Sequence, residues 1–279
     1  MAYLSVSTWS LHRLLGPQRL TVWDAESSTH QLSIQDQPQR HTLLELPNEA
    51  ASRGYQALEI CHFHFPATDN DYLEQLKHSF ETAGISFDTL LLDYGDLTEP
   101  DEQKRMADTA YIRSWIDVAA LAGAKQIRII AGEASPTDHA AIRQAASALK
   151  ELAAYASPKG VRVITENFKP LTSTAASSLM LLETAGPEVG FITDFGNYRG
   201  PGKVEEIAST AGRSVSIHCK PNYDENGYPD ADTFLSYLTE VQNTGYNGSY
   251  VLIYDGPGDM WEGLERIKTL VVPFISTSR

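Results

Sequence analysis

The sequence has few cysteines, little positive charge and no long hydrophobic run. Cys61 and Cys219 end the second and seventh of eight predicted strands, which are not neighbours in a ring of eight, so a disulfide is not expected. No apolar stretch approaches the roughly 18 residues of a membrane span, and residues 1–7 lack the basic start of an export signal. We therefore expect a cytoplasmic protein with no membrane partner.

Positive charge is outweighed, because 22 Lys and Arg residues stand against 36 Asp and Glu residues. The net charge of -14 would repel a polyanion over most of the surface, which argues against a nucleic-acid partner. A small neutral or weakly charged ligand is easier to bind if a cation reverses the local charge of its site. A hydrophobic content of 42% is typical of a folded globular protein.

One unit recurs along the chain: a segment of helical period, a short turn with glycine, and an apolar run rich in β-branched residues. The glycines of these turns are Gly54, Gly84, Gly123, Gly160, Gly212 and Gly245. Glycine just past a helix can take the left-handed conformation that ends it. The apolar runs predict strands over 3–8, 57–63, 85–92, 126–131, 161–167, 189–194, 214–220 and 249–254, with helices such as 101–122, 138–156 and 259–270 between them.

Apolar strands that alternate with helices predict a parallel sheet covered by helices. Eight such units, ending in a helix, fit a single closed (β/α)₈ barrel, the TIM barrel architecture, over residues 1–279. An open doubly wound sheet would need a glycine-rich phosphate loop after strand one, and residues 7–10 do not form one. Residues 9–41 interrupt the rhythm as a long polar insertion, which we interpret as a lid or wall of the active site, or alternatively as decoration or an oligomer contact.

Polar side chains interrupt the ends of strands five, six and seven, at Glu166, Asp194 and His218. Strand ends of a barrel meet above its axis, so these three residues are expected to converge there. Packed carboxylates repel one another, and a divalent cation neutralises them. The mixed oxygen and nitrogen donors suit Mn²⁺, Co²⁺, Zn²⁺ or Fe²⁺ better than Ca²⁺. Taken singly, each acid could instead cap a helix or pair with an arginine.

Further polar residues lie near the predicted rim. His62 and His64 share one face after strand two, opposite in parity to Glu59, and either contact substrate or are buried structural histidines. Lys220 shares the face of His218 and could polarise a substrate oxygen or pair with Glu166.

Two more groups of residues are candidates for a buried ion pair and for a ligand-binding surface. Arg128 and Glu133 are expected to form an ion pair inside the barrel. Trp9, His12 and Tyr254 could form an apolar platform for a sugar ring, although core packing explains aromatic residues equally well.

Several short motifs, in this order and spacing, resemble the xylose isomerase-like barrels, the sugar phosphate isomerase/epimerase group that also includes endonuclease IV. The motifs are Leu58-Glu59-Ile60, Thr165-Glu166-Asn167, Thr193-Asp194-Phe195-Gly196-Asn197, His218-Cys219-Lys220, Tyr246-Asn247-Gly248 and Asp255-Gly256-Pro257-Gly258. The resemblance covers essentially the whole chain. The nuclease branch is not expected, because strand three ends at 92–95 without histidine and the surface is acidic.

The resemblance implies a metal held by Glu166, Asp194 and His218, with a fourth ligand, usually Glu, on strand eight. This chain departs from that pattern, because Ile253 stands where the fourth ligand would be and Asn197 replaces a common histidine. In the family's epimerases the glutamates of strands five and eight act as paired acid and base. Three ligands still leave room for water or substrate, and Asp255, which has the parity of Ile253, could reach in.

These features predict a metal-dependent isomerase or epimerase of a sugar, polyol or related hydroxy-carbonyl compound. A metal-stabilised enediolate would form when Glu166 takes a proton, and Lys220 or a strand-two histidine would return it. With one glutamate missing, a lyase or dehydratase, or a sugar-binding barrel without activity, are the alternatives. The predicted substrate contacts are His62, His64, Trp9, Asn197, Tyr254 and Asp255. A homodimer is the default expectation.

Overall fold

The computed structural model describes residues 1–276. Its strands are β1 (Tyr3–Ser7), β2 (Gln18–Asp24), β3 (Thr29–Gln35), β4 (Ala57–Cys61), β5 (Ser86–Leu91), β6 (Gln126–Arg128), β7 (Arg162–Glu166), β8 (Gly190–Asp194), β9 (Ser216–Cys219) and β10 (Ser249–Leu252). Its α-helices are α1 (Leu46–Ser52), α2 (Asn70–Ala83), α3 (Glu102–Leu121), α4 (His139–Ala156), α5 (Ala175–Ala185), α6 (Lys203–Ala211), α7 (Ala231–Asn243) and α8 (Met260–Ser276).

Eight of the strands close into a parallel barrel, which confirms the predicted (β/α)₈ fold. The order around the ring is β1, β10, β9, β8, β7, β6, β5 and β4. Strand β1 closes the ring because Val6 pairs with Leu252 of β10 on one side and with Leu58 of β4 on the other. Every predicted barrel strand is present, shortened at one or both ends. The C-terminal ends of β7, β8 and β9 therefore lie side by side at the barrel mouth.

Aspartates begin several of the helices. The side chains of Asp69, Asp101, Asp138 and Asp230 accept hydrogen bonds from backbone N–H groups in the first turns of α2, α3, α4 and α7. Such caps satisfy donors that have no partner within the helix. At the other end of α2, Gly84 takes a φ of 70°, the left-handed conformation expected of the recurring glycine turns. These acids stabilise helix ends and are not part of the candidate site.

The barrel separates two apolar regions. Outward-facing strand residues pack beneath the helices in the larger core, whereas a smaller cluster lies inside the barrel near its mouth. The buried members of the inner cluster are Cys61, Phe63, Leu91, Ile164 and Ile192. Cys61 and Cys219 are both free, and burial raises the pKa of each thiol well above its usual value. Neither thiol therefore has the ionised form that makes cysteine reactive at neutral pH.

The insertion at residues 9–41 contains an antiparallel hairpin of β2 and β3. The pairing runs from Gln18 opposite Gln35 to Asp24 opposite Thr29. The hairpin docks on α3, where His30 Nε2 lies 2.9 Å from Asp108 Oδ1. The segment is thus more ordered than the polar loop expected from the sequence. Among the described residues, no helix combines the length and apolarity needed to cross a membrane.

Candidate active site

A cavity of about 300 Å³ opens at the C-terminal ends of the barrel strands. Its lining combines the aromatic side chains of Trp9, Phe63 and Phe168 with acids, bases and amides. Its position is the one at which barrel enzymes hold their active sites. A larger groove of about 890 Å³ runs between α3 and α4, but no strand end reaches it, so we assign the chemistry to the smaller cavity.

Glu166, Asp194 and His218 meet in the wall of this cavity. Each offers one ligand atom, and these atoms all lie within 4.8 Å of one another. His218 Nδ1 is 3.3 Å from Asp194 Oδ2 and 3.4 Å from Glu166 Oε1. All three side chains are buried, with residue exposures of 4%, 5% and 3%. The structure therefore brings together the three residues that the sequence analysis singled out as ligands.

The donor set fits a divalent transition-metal ion. Two carboxylate oxygens and one imidazole nitrogen are a frequent ligand combination for such ions. Ligand atoms bound about 2.1 Å from a shared tetrahedral ion lie roughly 3.4 Å apart, which matches the two distances from His218 Nδ1. The three residues could hold the ion and leave its remaining positions to water or substrate.

Protonation of His218 follows from the same geometry. Burial alone lowers the pKa of His218, but the carboxylates of Glu59 and Glu166 outweigh it, so the pKa lies well above the usual value. Burial alone raises the pKa of Asp194, yet the hydrogen bond from His218 brings it below the usual value. In the metal-free protein the imidazolium neutralises part of the acid cluster. A cation bound at Nδ1 would have to displace that proton.

Glu59 is a site residue that is not among the ligands or substrate contacts predicted from the sequence. It lies inside the barrel on β4, and its Oε2 is 2.7 Å from His218 Nε2. The sequence signal was a glutamate in the middle of the apolar strand Ala57–Cys61, because a fully buried acid needs a partner. Which partner it takes depends on the ring closure through β1, which brings β4 within reach of β9 inside the barrel.

The backbone around Asp194 is held by Asn167, the residue that follows β7. Asn167 Nδ2 donates to the Asp194 carbonyl at 2.9 Å, and the Asp194 N–H donates to Asn167 Oδ1 at 2.7 Å. The Gly196 N–H donates to Asp194 Oδ1. A Cβ on Gly196 would come within 2.6 Å of Lys220 Cδ, so glycine here lets the lysine pass along the cavity wall.

Arg128 forms ion pairs with two carboxylates, and neither of them belongs to the predicted partner Glu133. Its NH2 donates to Asp93 Oδ1 at 2.5 Å. Its Nε lies 3.0 Å from Glu166 Oε2, but the N–H is not aimed at that oxygen, so the contact is an ion pair without an aligned hydrogen bond. The predicted pair with Glu133 is wrong, because β6 ends at Arg128 and the following chain carries Glu133 out to Lys169, 2.9 Å away.

Lys220 reaches the cavity from the end of β9. Its Nζ lies 2.6 Å from Asp255 Oδ2, so its charge partner is Asp255 and not Glu166. Asp255 thus fixes the lysine and does not join the ligand cluster. Ile253, just beyond β10, lines the cavity at the position expected for a fourth ligand.

Two predicted substrate contacts, Trp9 and Asn197, line the cavity. Trp9 stacks on His12 with ring centroids 4.9 Å apart and meets Phe63 edge-on. Asn197 Nδ2 donates to Glu166 Oε1 at 3.1 Å. Trp9 is also the part of the 9–41 insertion that lines the cavity, and Leu20 of β2 packs against the inner cluster near the mouth.

His62, His64 and Tyr254 do not line the cavity, which corrects the expectation of substrate contact. Strand β4 ends at Cys61, and a 3₁₀ turn directs both histidines into the protein. Burial lowers the pKa of His62 to about 4 and that of His64 to about 3. Tyr254 is fully buried, and its hydroxyl donates to the carbonyl of Pro257.

The fold and cavity define a class: a closed (β/α)₈ barrel with a carboxylate and imidazole cluster at its mouth. The chain belongs to the xylose isomerase-like TIM barrel family, whose model matches residues 47–270. No curated protein sequence matches the chain significantly.

Solved structures share the fold at low identity. An L-ribulose 3-epimerase superposes with a TM-score of 0.72 at 16% identity, covering 100% of this chain and 96% of its own. The IOLI protein with a zinc atom gives 0.71 at 16% identity, with 99% of each chain covered. D-psicose 3-epimerase with D-tagatose from Clostridium cellulolyticum H10 gives 0.67 at 16% identity, covering 99% of this chain and 98% of its own. At this identity the similarity shows the fold alone.

Proposed function

We propose that this protein is a divalent-metal-dependent isomerase or epimerase of a sugar, polyol or related hydroxy-carbonyl compound. The observation that carries the proposal is the convergence of Glu166, Asp194 and His218 at one point of a cavity of small-molecule size. The similar structures support it, because two are sugar epimerases and one binds zinc.

Glu166, Asp194 and His218 would hold the metal, with Mn²⁺, Co²⁺, Zn²⁺ and Fe²⁺ as the candidates. When bound, such an ion polarises a carbonyl or hydroxyl oxygen and stabilises negative charge that develops there. The rings of Trp9 and Phe168, which both line the cavity, provide apolar surface against which the ring or carbon chain of a sugar can lie.

In this proposal Glu166 and Lys220 transfer the protons. Glu166 is oriented from two sides, by Arg128 at Oε2 and by the Asn197 amide at Oε1. It would accept a proton from the carbon next to the substrate carbonyl. Lys220 Nζ, held by Asp255, would return a proton from the wall that follows β9. This pair differs from the two-carboxylate arrangement of the family's epimerases.

The apolar Ile253 favours a lyase or dehydratase as the second candidate. In that reaction the carbon–hydrogen bond breaks and its proton passes to Glu166. The carbon–oxygen bond on the adjacent carbon then breaks, and the hydroxyl leaves as water with a proton from Lys220. Only one carboxylate base is required, and Glu166 supplies it, since Asp194 would hold the metal and Asp93 is paired with Arg128.

Solvent exchange tests the proposal and separates the two candidates. Protein loaded with Mn²⁺, Co²⁺ or Zn²⁺ is incubated in D₂O with a panel of ketoses, polyol-derived ketones and their epimers, and products are followed by NMR. We expect deuterium next to the carbonyl, with an isomer for the first candidate and a dehydrated product for the second. Glu166→Gln should lower exchange by roughly 10²-fold or more, whereas Glu133→Gln on the exposed rim should not. Wild-type protein that takes up metal without exchanging any compound would favour a sugar-binding barrel instead.

A further inference from the structure

Glu59 holds its carboxylate in a fixed orientation deep inside the barrel. Its residue exposure is 0%, and both oxygens are occupied. Oε1 accepts from the hydroxyls of Thr89 at 2.9 Å and Ser216 at 3.2 Å, and Oε2 accepts from His218 Nε2 at 2.7 Å. The two hydroxyls lie on the strands β5 and β9, so the carboxylate cannot rotate without losing a bond on either side.

The ring of His218 joins Glu59 to the candidate metal cluster. A neutral imidazole carries its proton on one nitrogen and a lone pair on the other. Because the Glu59 carboxylate accepts the proton on Nε2, the proton that a bound cation would displace is the one on Nδ1, and Nδ1 would then present its lone pair on the side of Asp194 and Glu166. The ring is therefore prepared for a ligand on the side of the cavity.

We propose that Glu59 is the positioning residue of the metal centre. It sets the tautomer and ring orientation of His218, and its negative charge increases the electron density that Nδ1 offers to a cation. Partners of this kind typically change metal affinity 10–100-fold. The proposal rests on the metal site proposed above and adds to it a residue that would never touch the ion or the substrate.

A purely structural role for Glu59 explains less of the hydrogen-bond geometry around its carboxylate. A carboxylate buried among strands costs stability unless it is paired, and an apolar side chain could fill the same space. A structural ion pair would not need two hydroxyls to turn Oε2 toward Nε2. Among the described residues, the side-chain hydrogen bonds of Glu59 are those with Thr89, Ser216 and His218, so its charge is directed at the one ring that faces the cluster.

Asp88 provides a matched control. It is the neighbour of Thr89 on β5, is 1% exposed, and binds the Tyr3 hydroxyl at 2.5 Å and Lys125 Nζ at 3.0 Å. It is therefore a second buried, hydrogen-bonded carboxylate of the same barrel that does not touch the cluster. Asp88→Asn reports what loss of such a group does to folding alone.

The experiment titrates the purified metal-free chain with Co²⁺. Visible absorption gives the ligand geometry, competition with a chelator gives Kd, and thermal melting without metal gives stability. Glu59→Gln should raise Kd 10–100-fold and alter the absorption bands, while Asp88→Asn should leave both at wild-type values. Equal Kd and equal bands for Glu59→Gln and wild type would overturn the proposal and leave the metal site standing. Wild-type protein that binds no Co²⁺ would instead overturn the metal site and this proposal together.

A milder substitution covers the case in which Glu59→Gln does not fold. Thr89→Val keeps the charge of Glu59 and removes one hydroxyl that orients it. Loss of that hydrogen bond should weaken Co²⁺ binding about threefold or more. An unchanged Kd in a folded Thr89→Val protein would then count against the role of Glu59.

Discussion

Arg128 shows how one buried side chain connects three strands of the cavity. The guanidinium is 4% exposed and contacts Asp93 after β5 and Glu166 at the end of β7. Burial by itself lowers the pKa of Arg128, but these two acids raise it above its usual value, so the group stays charged. A buried cation between two acids stabilises the fold mainly because it neutralises their charges. If one partner is removed, the remaining buried charges are left unpaired, which is strongly destabilising.

Arg128→Met should therefore destabilise the protein markedly. It leaves the carboxylates of Asp93 and Glu166 without their cation, and we expect the free energy of unfolding to fall by about 3–5 kcal/mol. Urea denaturation measures the change, with the exposed Arg143→Met as the control. A loss below about 1 kcal/mol would mean that the pair behaves like a surface salt bridge.

Site residues differed in how far the sequence revealed them. Glu166, Asp194 and His218 were predicted because each stands at the end of an apolar strand, which is a local signal. The partners of Arg128 and Glu59 carry no local signal, because the first depend on which strands flank β6 and the second on which strands meet inside the ring. Glu133 is closer to Arg128 in sequence, but the chain leaves the barrel before reaching it.

At the scale of single elements, the 3₁₀ turn His62–His64 carries buried neutral histidines. The Asp93 N–H donates to His62 Nδ1 at 3.1 Å, so Nε2 carries the ring proton and faces Thr21 Oγ1 at 3.3 Å. The second proton of an imidazolium has no acceptor at Nδ1. Burial is the main reason that the pKa of His62 falls to about 4.

This turn should make the fold sensitive to acid. Below pH 6.5 the unfolded chain binds a proton at His62 that the folded chain does not bind until about pH 4. His62 thus contributes stability above pH 6.5 that is lost as the pH falls toward 4, by about 3 kcal/mol in full. His62→Asn should flatten the pH profile of unfolding in this window, and His78→Asn, at a histidine whose side chain is 77% exposed, should not. Parallel wild-type and His62→Asn profiles would contradict the assignment.

The hairpin of β2 and β3 depends on α3 for its order. Two strands alone are marginally stable in water, and Asp108 of α3 receives both His30 Nε2 at 2.9 Å and the Tyr94 hydroxyl at 3.0 Å. Asp108→Ala should therefore speed hydrogen exchange of the amides in 18–35 by tenfold or more, corresponding to about 1.4 kcal/mol of lost local protection. Asp117→Ala on the same helix, at a 44% exposed side chain, is the control. Equal exchange in both variants would show that the anchor lies elsewhere.

This hairpin is not among the strands predicted from the sequence. The alternation of apolar and polar residues in Arg19-Leu20-Thr21-Val22 and in Gln31-Leu32-Ser33-Ile34 is the period-2 signal of strands. The turn between them, residues 25–28, has none of the Asn-Gly or Asp-Gly pairs that favour tight hairpins. Without that turn signal the weak alternation is hard to separate from a polar loop.

At the scale of the whole molecule, a metal ion would join three strands that are consecutive in the ring. A ligand that binds only the folded state at 100 times its Kd adds about 2.7 kcal/mol to the free energy of unfolding. We expect Co²⁺ or Zn²⁺ to raise the melting temperature by several degrees and a chelator to reverse the shift. His218→Gln should abolish the shift. A shift of the same size in that variant would indicate binding outside the cluster.

The barrel was predictable from the sequence because its signal is repeated. Eight apolar runs and the glycine turns before them recur along the chain, so an error at one strand end does not change the fold. The matching family model over 47–270 agrees with this. Cavity shape was not predictable, since it depends on loop paths such as the turn that moves His62 and His64 away from the opening.

The two sides of the cavity are held with unequal strength. On the side of β5, β6 and β7 the buried Arg128 links the walls, so substitutions there disturb folding as well as binding. On the side of β9 and β10, Lys220 and Asp255 are 26% and 31% exposed, and such a pair contributes little to stability. Substitutions on the side of β9 and β10 should therefore disturb the fold less than substitutions at Arg128, so the lining of the cavity can vary more freely on that side.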